Sequence, residues 1–483
     1  MAKDFIVAIE LGSSKITGIA GRKNADGSIN VLAVAKEDAQ KCIKRGVVYN
    51  VEKTAQCLSD IVKKLSTQLK CQITKVYVGV GGQSIRSIKS VIVRELPDET
   101  QITQNMVFDL MDANRAQRYP EQEILDVAIQ EYKVDNLYQT DPIGIVCHHL
   151  EGVFLNIVSR NAYYRSLIKA FNTAQINIAE IYMSPLALAE SVLTDNERRS
   201  GCILVDLGAQ TTTVAVFFKN LVRHLVVIPL GSDNITRDIA SLQIEEKDAE
   251  RMKLKYGSAY TDNADIDNSL QLPIDSTRSI DSLEFINIVE GRVEEIIRNV
   301  CNQIPAEYET KLLGGIILTG GGANMQNIED AFSRITKIEK VRVAKFVNEQ
   351  VISKNPDINA HDGRMNTVLG LLAKGNENCA GEEIDPNDIF SANKPAATPV
   401  INSVKTPVGS DAATGTARDG GTVQHPSPAQ NGTAAGGEKK EETADDADKQ
   451  EEKPKSEKNR QPVKKLWRNI KDWARTLTEE EEE

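Results

Sequence analysis

Two segments of the chain combine an acidic residue with a glycine-containing turn between apolar runs, a pattern that suits phosphate binding. Residues 5–21 read FIVAIELGSSKITGIAG, and residues 202–218 read CILVDLGAQTTTVAVFF. In each segment an apolar strand ends on an acid, Glu10 or Asp206, and the turn follows. Turn N–H groups can bind phosphate oxygens, and a nearby acid can hold Mg²⁺ through water. Taken alone, the same pattern also occurs in hairpins that bind nothing.

The tips of these two predicted hairpins supply the candidate phosphate ligands. Glycine lets a ligand approach the backbone closely, and hydroxyl groups add donors. Lys15 can reach a phosphate or point outward along its strand. The full set of candidates is Gly12, Ser13, Ser14 and Lys15 in the first hairpin, and Gly208, Gln210 and Thr211 in the second, with Glu10 and Asp206 as the metal-binding acids.

A third glycine-rich segment and a charged helix complete the candidate site. Residues 314–325 read GGIILTGGGANM, a strand that runs into Gly320, Gly321 and Gly322. Residues 248–260 read DAERMKLKYGSAY and predict a helix that carries Glu250 and Lys253 on one face. A solvated helix without a ligand is the alternative. Three strand-then-glycine segments, of which two match, suggest two duplicated halves that close on one nucleotide.

The order of predicted elements indicates an α/β protein with an insertion. Strands and a helix up to residue 82 form part of one half. A strand pair around 85–96 and a helix at 104–118 then break the pattern. Later, a long amphipathic helix is predicted over 285–308, and a helix at 365–374 should end the folded core.

Composition excludes several classes of protein. The chain has 483 residues, of which 40 % are hydrophobic and 26 % are charged, and a net charge of −11. A negative net charge argues against general nucleic-acid binding. The seven cysteines are scattered and form no CxxC pair, which indicates reduced thiols rather than a disulfide framework or a zinc site. No apolar run is long enough to span a membrane.

The C-terminal hundred residues have a different character. Residues 375–462 contain almost no large apolar residues, which predicts a disordered linker. Residues 463–478 then predict a basic amphipathic helix, which fits either an in-plane membrane anchor or a partner-docking helix. Residues 479–483 form an acidic tail. The apolar face of the helix consists chiefly of Leu466, Trp467, Ile470, Trp473 and Leu477.

The glycine segments resemble the phosphate-1, phosphate-2 and adenosine signatures of the actin, Hsp70 and sugar-kinase ATPase superfamily. Within it the chain resembles the FtsA family of bacterial cell-division proteins, over about residues 3–375 and again over the last twenty or so. Residues 129–135, IQEYKVD, match a strand of the 1C subdomain that distinguishes that family.

The resemblance implies an α/β, actin-like duplicated ATPase core with a 1C-type insertion, a disordered linker and a C-terminal amphipathic helix. The expected division is residues 1–82, the N-terminal part of the first half; 83–160, the inserted subdomain; 161–200, the remainder of the first half; 201–374, the second half with the nucleotide-clamping subdomain; 375–462, the linker; 463–478, the membrane-targeting helix; and 479–483, the acidic tail.

The resemblance also implies function. ATP with Mg²⁺ would occupy the cleft, with Glu250 on the ribose hydroxyls and Lys253 along the adenine. The expected partners are the C-terminal peptide of the tubulin-like protein FtsZ, further copies of the chain in an actin-like filament, other divisome proteins and an anionic membrane surface, with no nucleic acid. Arg278 and Arg292 are the candidate contacts for the peptide. The expected location is the cytoplasmic face of the membrane at the division site.

Two departures from the superfamily bear on catalysis. The second hairpin of the family usually reads Gly-Gly-Gly-Thr, whereas residues 208–211 read GAQT, which we expect to crowd the phosphate side. Residues 183–186, MSPL, lack the Glu or Gln with which better hydrolases orient the attacking water. We therefore expect weak hydrolysis or none, and we assign no catalytic residue. A small-molecule kinase and an MreB- or Hsp70-like ATPase are the alternatives.

Overall fold

Strands and helices alternate along the chain, as predicted for an α/β protein. The computed structural model describes residues 4–262, 269–275 and 277–383. The strands are β1 Ile6–Leu11, β2 Lys15–Lys23, β3 Ile29–Asp38, β4 Ile43–Lys44, β5 Val47–Val48, β6 Cys71–Ile73, β7 Val76–Val80, β8 Arg86–Gln101, β9 Gln122–Val134, β10 Leu137–Gln139, β11 Val146–Arg160, β12 Ile178–Met183, β13 Cys202–Leu207, β14 Thr212–Phe218, β15 Leu221–Ile228, β16 Gln271–Pro273, β17 Ser279–Asp281, β18 Gly315–Thr319, β19 Val341–Val343, β20 Val351–Ile352 and β21 Ala380–Glu383. The helices are α1 Val51–Leu69, α2 Gln104–Arg115, α3 Asn161–Thr173, α4 Ser184–Val192, α5 Asp195–Ser200, α6 Ser232–Ala240, α7 Glu246–Tyr256, α8 Ser282–Cys301, α9 Ile328–Thr336, α10 Pro356–Asn359 and α11 Asn366–Lys374.

The first half is built on a six-stranded sheet in the order β12-β7-β1-β2-β3-β20. Strands β1 to β3 form an antiparallel meander, and β7 runs parallel to β1. Two glycines of β2 leave room for helices, since a methyl at Gly18 would lie 2.4 Å from Ile61 of α1 and one at Gly21 would lie 2.7 Å from Leu372 of α11. Helix α11 therefore returns from the second half of the chain to pack on the first sheet.

The second sheet repeats this arrangement. Its order is β10-β9-β11-β8-β15-β14-β13-β18-β19. Strands β13 to β15 form an antiparallel meander, and β18 runs parallel to β13 in the place that β7 takes beside β1. The same strand order in both sheets confirms the predicted duplication.

The inserted subdomain extends the second sheet through a short strand pairing. Strand β8 meets β15 at the pair Arg86 and Val226, and β11 pairs with β8 along most of its length. The prediction of a strand pair around 85–96 was wrong, because this segment lies inside the single strand β8. The segment forms no turn, and the neighbouring strand β11 is long enough to pair with most of it. The subdomain has its own apolar core, to which Leu110 and Phe154 contribute.

Several predicted helices have different ends in the structure, and α2 ends at Arg115, ahead of the predicted residue 118. Helix α7 ends at Tyr256, ahead of the predicted residue 260, because Gly257 follows as its C-terminal cap. Helix α8 begins at Ser282 and ends at Cys301, whereas the prediction was 285–308. Pro305 cannot continue an α-helix, and a separate 3₁₀ turn spans Ala306–Tyr308.

The folded core continues past residue 374, where we expected it to end. Strand β21 pairs with β6, and Cys379 is fully buried. The Cys379 N–H donates to the Phe5 carbonyl at 2.8 Å, and the Val7 N–H donates to the Cys379 sulfur at 3.4 Å. The predicted linker therefore begins too early. Its remainder from residue 384, the helix at 463–478 and the tail at 479–483 lie outside the described residues.

None of the helices within residues 4–383, the two short gaps aside, has the length and hydropathy needed to cross a lipid bilayer.

Residues 375–383 should add to the stability of the folded core, and truncated chains test this. A chain cut after Lys374 loses the burial of Cys379 and several hydrogen bonds, each worth about 1 kcal/mol. We expect it to be less stable than a chain cut after Glu383 by about 2–4 kcal/mol, with a melting temperature several degrees lower. Thermal unfolding followed by circular dichroism measures the difference. Equal melting temperatures would show that residues 375–383 add nothing to the core.

Candidate functional site

The two hairpins have the same turn. The Gly12 N–H donates to the Lys15 carbonyl at 3.0 Å, and the Gly208 N–H donates to the Thr211 carbonyl at 2.9 Å. A methyl group at either glycine would lie within 2.8 Å of the accepting oxygen. Neither position can therefore carry a side chain without a shift of the turn, which accounts for glycine at both places.

The two hairpins also match across their strands. Glu10 lies opposite Thr17 on β2, and Asp206 lies opposite Thr213 on β14. Both threonines line the same cleft as the acids. Sequence reasoning missed them, although each follows its acid by seven residues, a spacing that the shared turn imposes.

The acids lie in a strongly perturbed electrostatic environment. Burial, and after it the nearby charge of Asp206, raise the pKa of Glu10 to about 8, while the charge of Lys36 opposes the rise. Burial also raises the pKa of Asp206 to about 6. Both carboxyl groups are hard to ionise because too little positive charge lies near them. A bound cation would supply that charge.

The donor set fits Mg²⁺ held through water. The described part of the chain contains no group of three or more His, Cys, Asp or Glu side chains that could enclose a metal ion. Magnesium usually keeps several waters and takes one or two carboxylates together with phosphate oxygens. Glu10 and Asp206 supply such a pair.

A cavity of about 1250 Å³ collects almost all the predicted ligands. This volume accommodates a nucleotide. Lys36, Asp362 and Arg364 also line it, and the sequence offered no reason to bring them there. The predicted residues that line the cavity are Glu10, Gly12, Ser13, Ser14, Lys15, Asp206, Gly208, Thr211, Glu250, Lys253, Gly320, Gly321 and Gly322.

Gln210 is the exception and does not line the cavity, whereas Ala209 of the same turn does. The side-chain oxygen of Gln210 accepts a hydrogen bond from the Arg45 N–H at 2.9 Å, outside the cavity lining. On the other hairpin, the Ser13 hydroxyl accepts from the Gly46 N–H at 2.8 Å. The two hairpin tips thus bind successive N–H groups of one loop, between β4 and β5, and this loop connects the two halves.

The triple glycine lies beside the second acid. Gly320 has φ +85°, and a methyl group there would lie 2.3 Å from Asp206 Oδ1. A methyl at Gly322 would lie 3.0 Å from Leu207 Cβ. At Gly321, by contrast, the nearest atom is Arg364 Cγ at 3.6 Å, so this position is open towards the cavity.

The charged helix α7 is anchored to α6 through Lys253. The Lys253 side chain is only 6 % exposed, and its ammonium group contacts Glu250 at 2.6 Å. It also donates to Thr236 Oγ1 at 2.8 Å and to the Ser232 carbonyl at 3.2 Å. The ammonium is therefore bound within the protein, while Glu250 stays accessible from the cavity.

The two arginines predicted for a partner lie away from the cavity, in existing ion pairs. Arg278 contacts Asp275 at 2.6 Å and donates to the Gln243 carbonyl at 3.0 Å. Arg292 binds both oxygens of Asp238, at 2.5 and 3.1 Å, and this hydrogen bonding raises the pKa of its guanidinium. An incoming acidic peptide would have to compete with these carboxylates.

Comparison with known proteins identifies the fold. The PilM–PilN type IV pilus biogenesis complex contains a structure that matches with a TM-score of 0.53 at 14 % identity, covering 79 % of this chain and 99 % of that chain. Two duplicated halves around one cleft define the actin-like class of α/β proteins.

Sequence comparison gives the family. A family model described as cell division protein FtsA matches residues 203–363, and one described as the SHS2 domain inserted in FTSA matches residues 82–158. Cell division protein FtsA of Porphyromonas gingivalis is 31 % identical, with 77 % of this chain and 78 % of that protein covered. The FtsA of Escherichia coli K12 is 26 % identical, with 78 % and 91 % covered. The chain belongs to the FtsA family of cell-division proteins.

The perturbed acid predicts an unusual pH dependence. In the unfolded chain Glu10 ionises near 4.5 and in the folded chain near 8, so between these values the unfolded state binds fewer protons. The free energy of unfolding should then fall with rising pH, by at most about 1.4 kcal/mol per unit. Glu10→Gln removes this loss. We expect the variant, free of Mg²⁺ and nucleotide, to melt near the wild type at pH 5 and above it at pH 8.5.

Thermal melts at the two pH values, with a chelator present, measure this effect. Glu339→Gln is the matched control, because Glu339 is exposed on the surface. A Glu10→Gln variant that melts below the wild type at both pH values would contradict the assignment of a raised pKa to Glu10.

Proposed function

We propose that this chain is an ATP-binding, actin-like cell-division protein that polymerises and attaches the FtsZ ring to the inner face of the cytoplasmic membrane. One observation carries the proposal: two matching hairpins present their acids and glycine turns to a single cleft. Membership of the FtsA family supports the role in division.

In this proposal the two hairpins hold the phosphates of ATP. The turns at Gly12 and Gly208 present backbone to the cavity, and Lys15 at its edge adds a positive charge. Glu10 and Asp206 would hold Mg²⁺ through water. The metal ion supplies neutralisation of phosphate charge when bound.

The adenosine would lie on the side of the triple glycine. Gly321 is open towards the cavity, which leaves room for a flat ligand. Glu250 can accept hydrogen bonds from ribose hydroxyls, and the buried stem of Lys253 forms part of the wall. Arg364 borders the same space and adds a cation beside it.

ATP in this proposal acts mainly as a conformational ligand. Residues 183–186, at the start of α4, provide no carboxylate or amide side chain to orient an attacking water. Hydrolysis should then be slow. A ligand favours whichever state it binds better, and contacts from both hairpins favour the closed state, which we take as the polymerising one.

The membrane contact would come from residues 463–478. Burial of five large apolar side chains contributes about 10 kcal/mol, and basic flanking residues add about 1 kcal/mol each near anionic lipid. Ordering some fifteen residues into a helix costs about 15 kcal/mol, so the net for one chain is small. A filament that presents many such helices would bind far more tightly through effective concentration.

The proposed partner is the C-terminal peptide of FtsZ. Arg278 and Arg292 remain the candidate contacts, since their region carries helix α8 and both side chains are basic. Their ion pairs with Asp275 and Asp238 mean that a peptide carboxylate would replace an existing partner. Such exchange favours reversible binding over tight binding.

Substitution of Gly321 tests nucleotide binding. Gly321→Asp places a charge against the proposed adenosine, a change worth about 3 kcal/mol or more, and we expect ATP affinity to fall about 100-fold or more. Gly291→Asp on α8 is the matched control, because a side chain at Gly291 meets nothing within 4 Å. Isothermal titration calorimetry measures both. Unchanged ATP affinity in Gly321→Asp, with the protein folded, would show that the site is misplaced.

Substitution of Trp467 tests attachment to membrane and to FtsZ together. Trp467→Glu puts a charge on the predicted apolar face, and we expect it to abolish co-sedimentation with anionic vesicles while ATP binding persists. A labelled FtsZ C-terminal peptide should sediment with vesicles only when the wild-type chain is present. Trp467→Phe is the control that keeps the face apolar. A chain cut after Glu383 should bind ATP but no vesicles, and sedimentation of that chain at full-length levels would contradict the anchor.

A further inference from the structure

Ser184 carries a buried hydroxyl group without a partner in the cleft. The residue is 7 % exposed and lines the cavity together with Pro185. Its Oγ forms no hydrogen bond with any other residue that the structure describes. A buried hydroxyl without a hydrogen-bond partner lowers the stability of the folded state by about 1–3 kcal/mol. This cost suggests that the hydroxyl has a function.

The hydroxyl stands at the uncapped N-terminus of a helix. Helix α4 begins at Ser184, has nine residues and receives no side-chain cap at its first turn. The free N–H groups of such an end carry partial positive charge and attract anions. The helix end and the unpaired hydroxyl thus point to the same kind of ligand, which is an anion with acceptor oxygens.

Glycines keep the space around this hydroxyl open. A methyl group at Gly79, in β7, would lie 2.6 Å from Ser184 Oγ, and one at Gly81 would lie 3.4 Å from Ser184 Cβ. Both glycines belong to the segment in which β7 ends. Side chains here would cover the hydroxyl or displace it.

A chain of contacts locates Ser184 at the phosphate side of the cleft. The Ser13 hydroxyl at the first hairpin tip binds the Gly46 N–H at 2.8 Å. Gly46 lies against Gly81, since a methyl group on Gly46 would be 2.3 Å from the Gly81 carbonyl oxygen. Gly81 in turn adjoins Ser184. The hydroxyl is therefore connected to the first hairpin tip through Gly46 and Gly81.

Helix α4 also connects this position to α11, the helix that follows the second half along the chain. A methyl group at Gly370, in α11, would lie 2.6 Å from the Ala187 carbonyl of α4, so the two helices cross in close contact. Helix α11 packs in addition against β1 and β2 of the first sheet. A ligand that fixes the start of α4 would accordingly restrain the α4–α11 crossing.

We propose that Ser184 Oγ and the N-terminus of α4 bind the terminal phosphate of a nucleoside triphosphate, and that this contact makes the cleft discriminate triphosphate from diphosphate. The inference rests on the proposed nucleotide-binding function. The hydroxyl donates its hydrogen to a non-bridging oxygen of the terminal phosphate, and the helix end stabilises the charge. A diphosphate lacks that group and leaves the hydroxyl unpaired. Ser184 is thus a positioning and sensing residue.

The test compares Ser184→Ala with Ser191→Ala in the full chain. Ser191 lies on the same helix and is buried, but its hydroxyl donates to Glu349 Oε1 at 3.0 Å and does not line the cleft. Calorimetric titrations with Mg-ATP and Mg-ADP measure the affinity ratio of the two nucleotides. We expect Ser184→Ala to lose on the order of tenfold in ATP affinity with ADP affinity unchanged, because a hydrogen bond to a charged group is lost. Ser191→Ala should keep the wild-type ratio.

Thermal melting without nucleotide supplies the second readout. Removal of an unpaired hydroxyl should leave the melting temperature of Ser184→Ala equal to that of the wild type or higher. A lower melting temperature with equal loss of both nucleotides would show a structural role and overturn the inference. Unchanged affinities with slower phosphate release would assign the hydroxyl to the attacking water and overturn it as well. If the wild type binds neither nucleotide, the proposed function fails; if it binds both and Ser184→Ala keeps the wild-type ratio, only this inference fails.

Discussion

Bringing the carboxylates of Glu10 and Asp206 into one cleft has an electrostatic cost that the protein offsets only in part. Lys36 opposes the effect, yet the pKa of Glu10 still rises to about 8. A site that contains two such acids is more stable when a cation lies between them. The remaining features of the cleft, from the glycine turns to the helix ends, are consistent with a ligand that brings both a cation and negative phosphate.

Close approach of backbone to backbone is the second constraint on the cleft. Gly46 and Gly82 cannot carry side chains, because each would collide with the backbone of the other loop. The loop between β4 and β5 can therefore sit at the junction of the halves and offer its N–H groups to Ser13 and Gln210. Both hairpins are thus hydrogen-bonded to the same loop.

The sequence predicted the parts of the site that depend on local pattern. Acid, glycine and strand lie within a few residues of one another in each hairpin, so their geometry follows from the turn. Thr17 and Thr213 needed strand register, and Lys36 and Arg364 needed tertiary packing, which the pattern does not contain. The segment 375–383 looked like linker because its sequence, GNENCAGEE, contains no large apolar residue. Its order depends on backbone pairing with residues that are some three hundred positions away. The role of Gln210 likewise depends on a distant N–H group.

Hydrogen–deuterium exchange of the full chain, with and without Mg-ATP, tests the central claim that two duplicated halves close on one nucleotide. If both halves close on one nucleotide, exchange should slow together in three segments: residues 12–15, residues 208–211 and residues 320–322. The inserted subdomain at 83–160 should exchange as before, since it does not line the cavity. Protection of one hairpin without the other, or of none of the three segments at saturating nucleotide, would contradict the account.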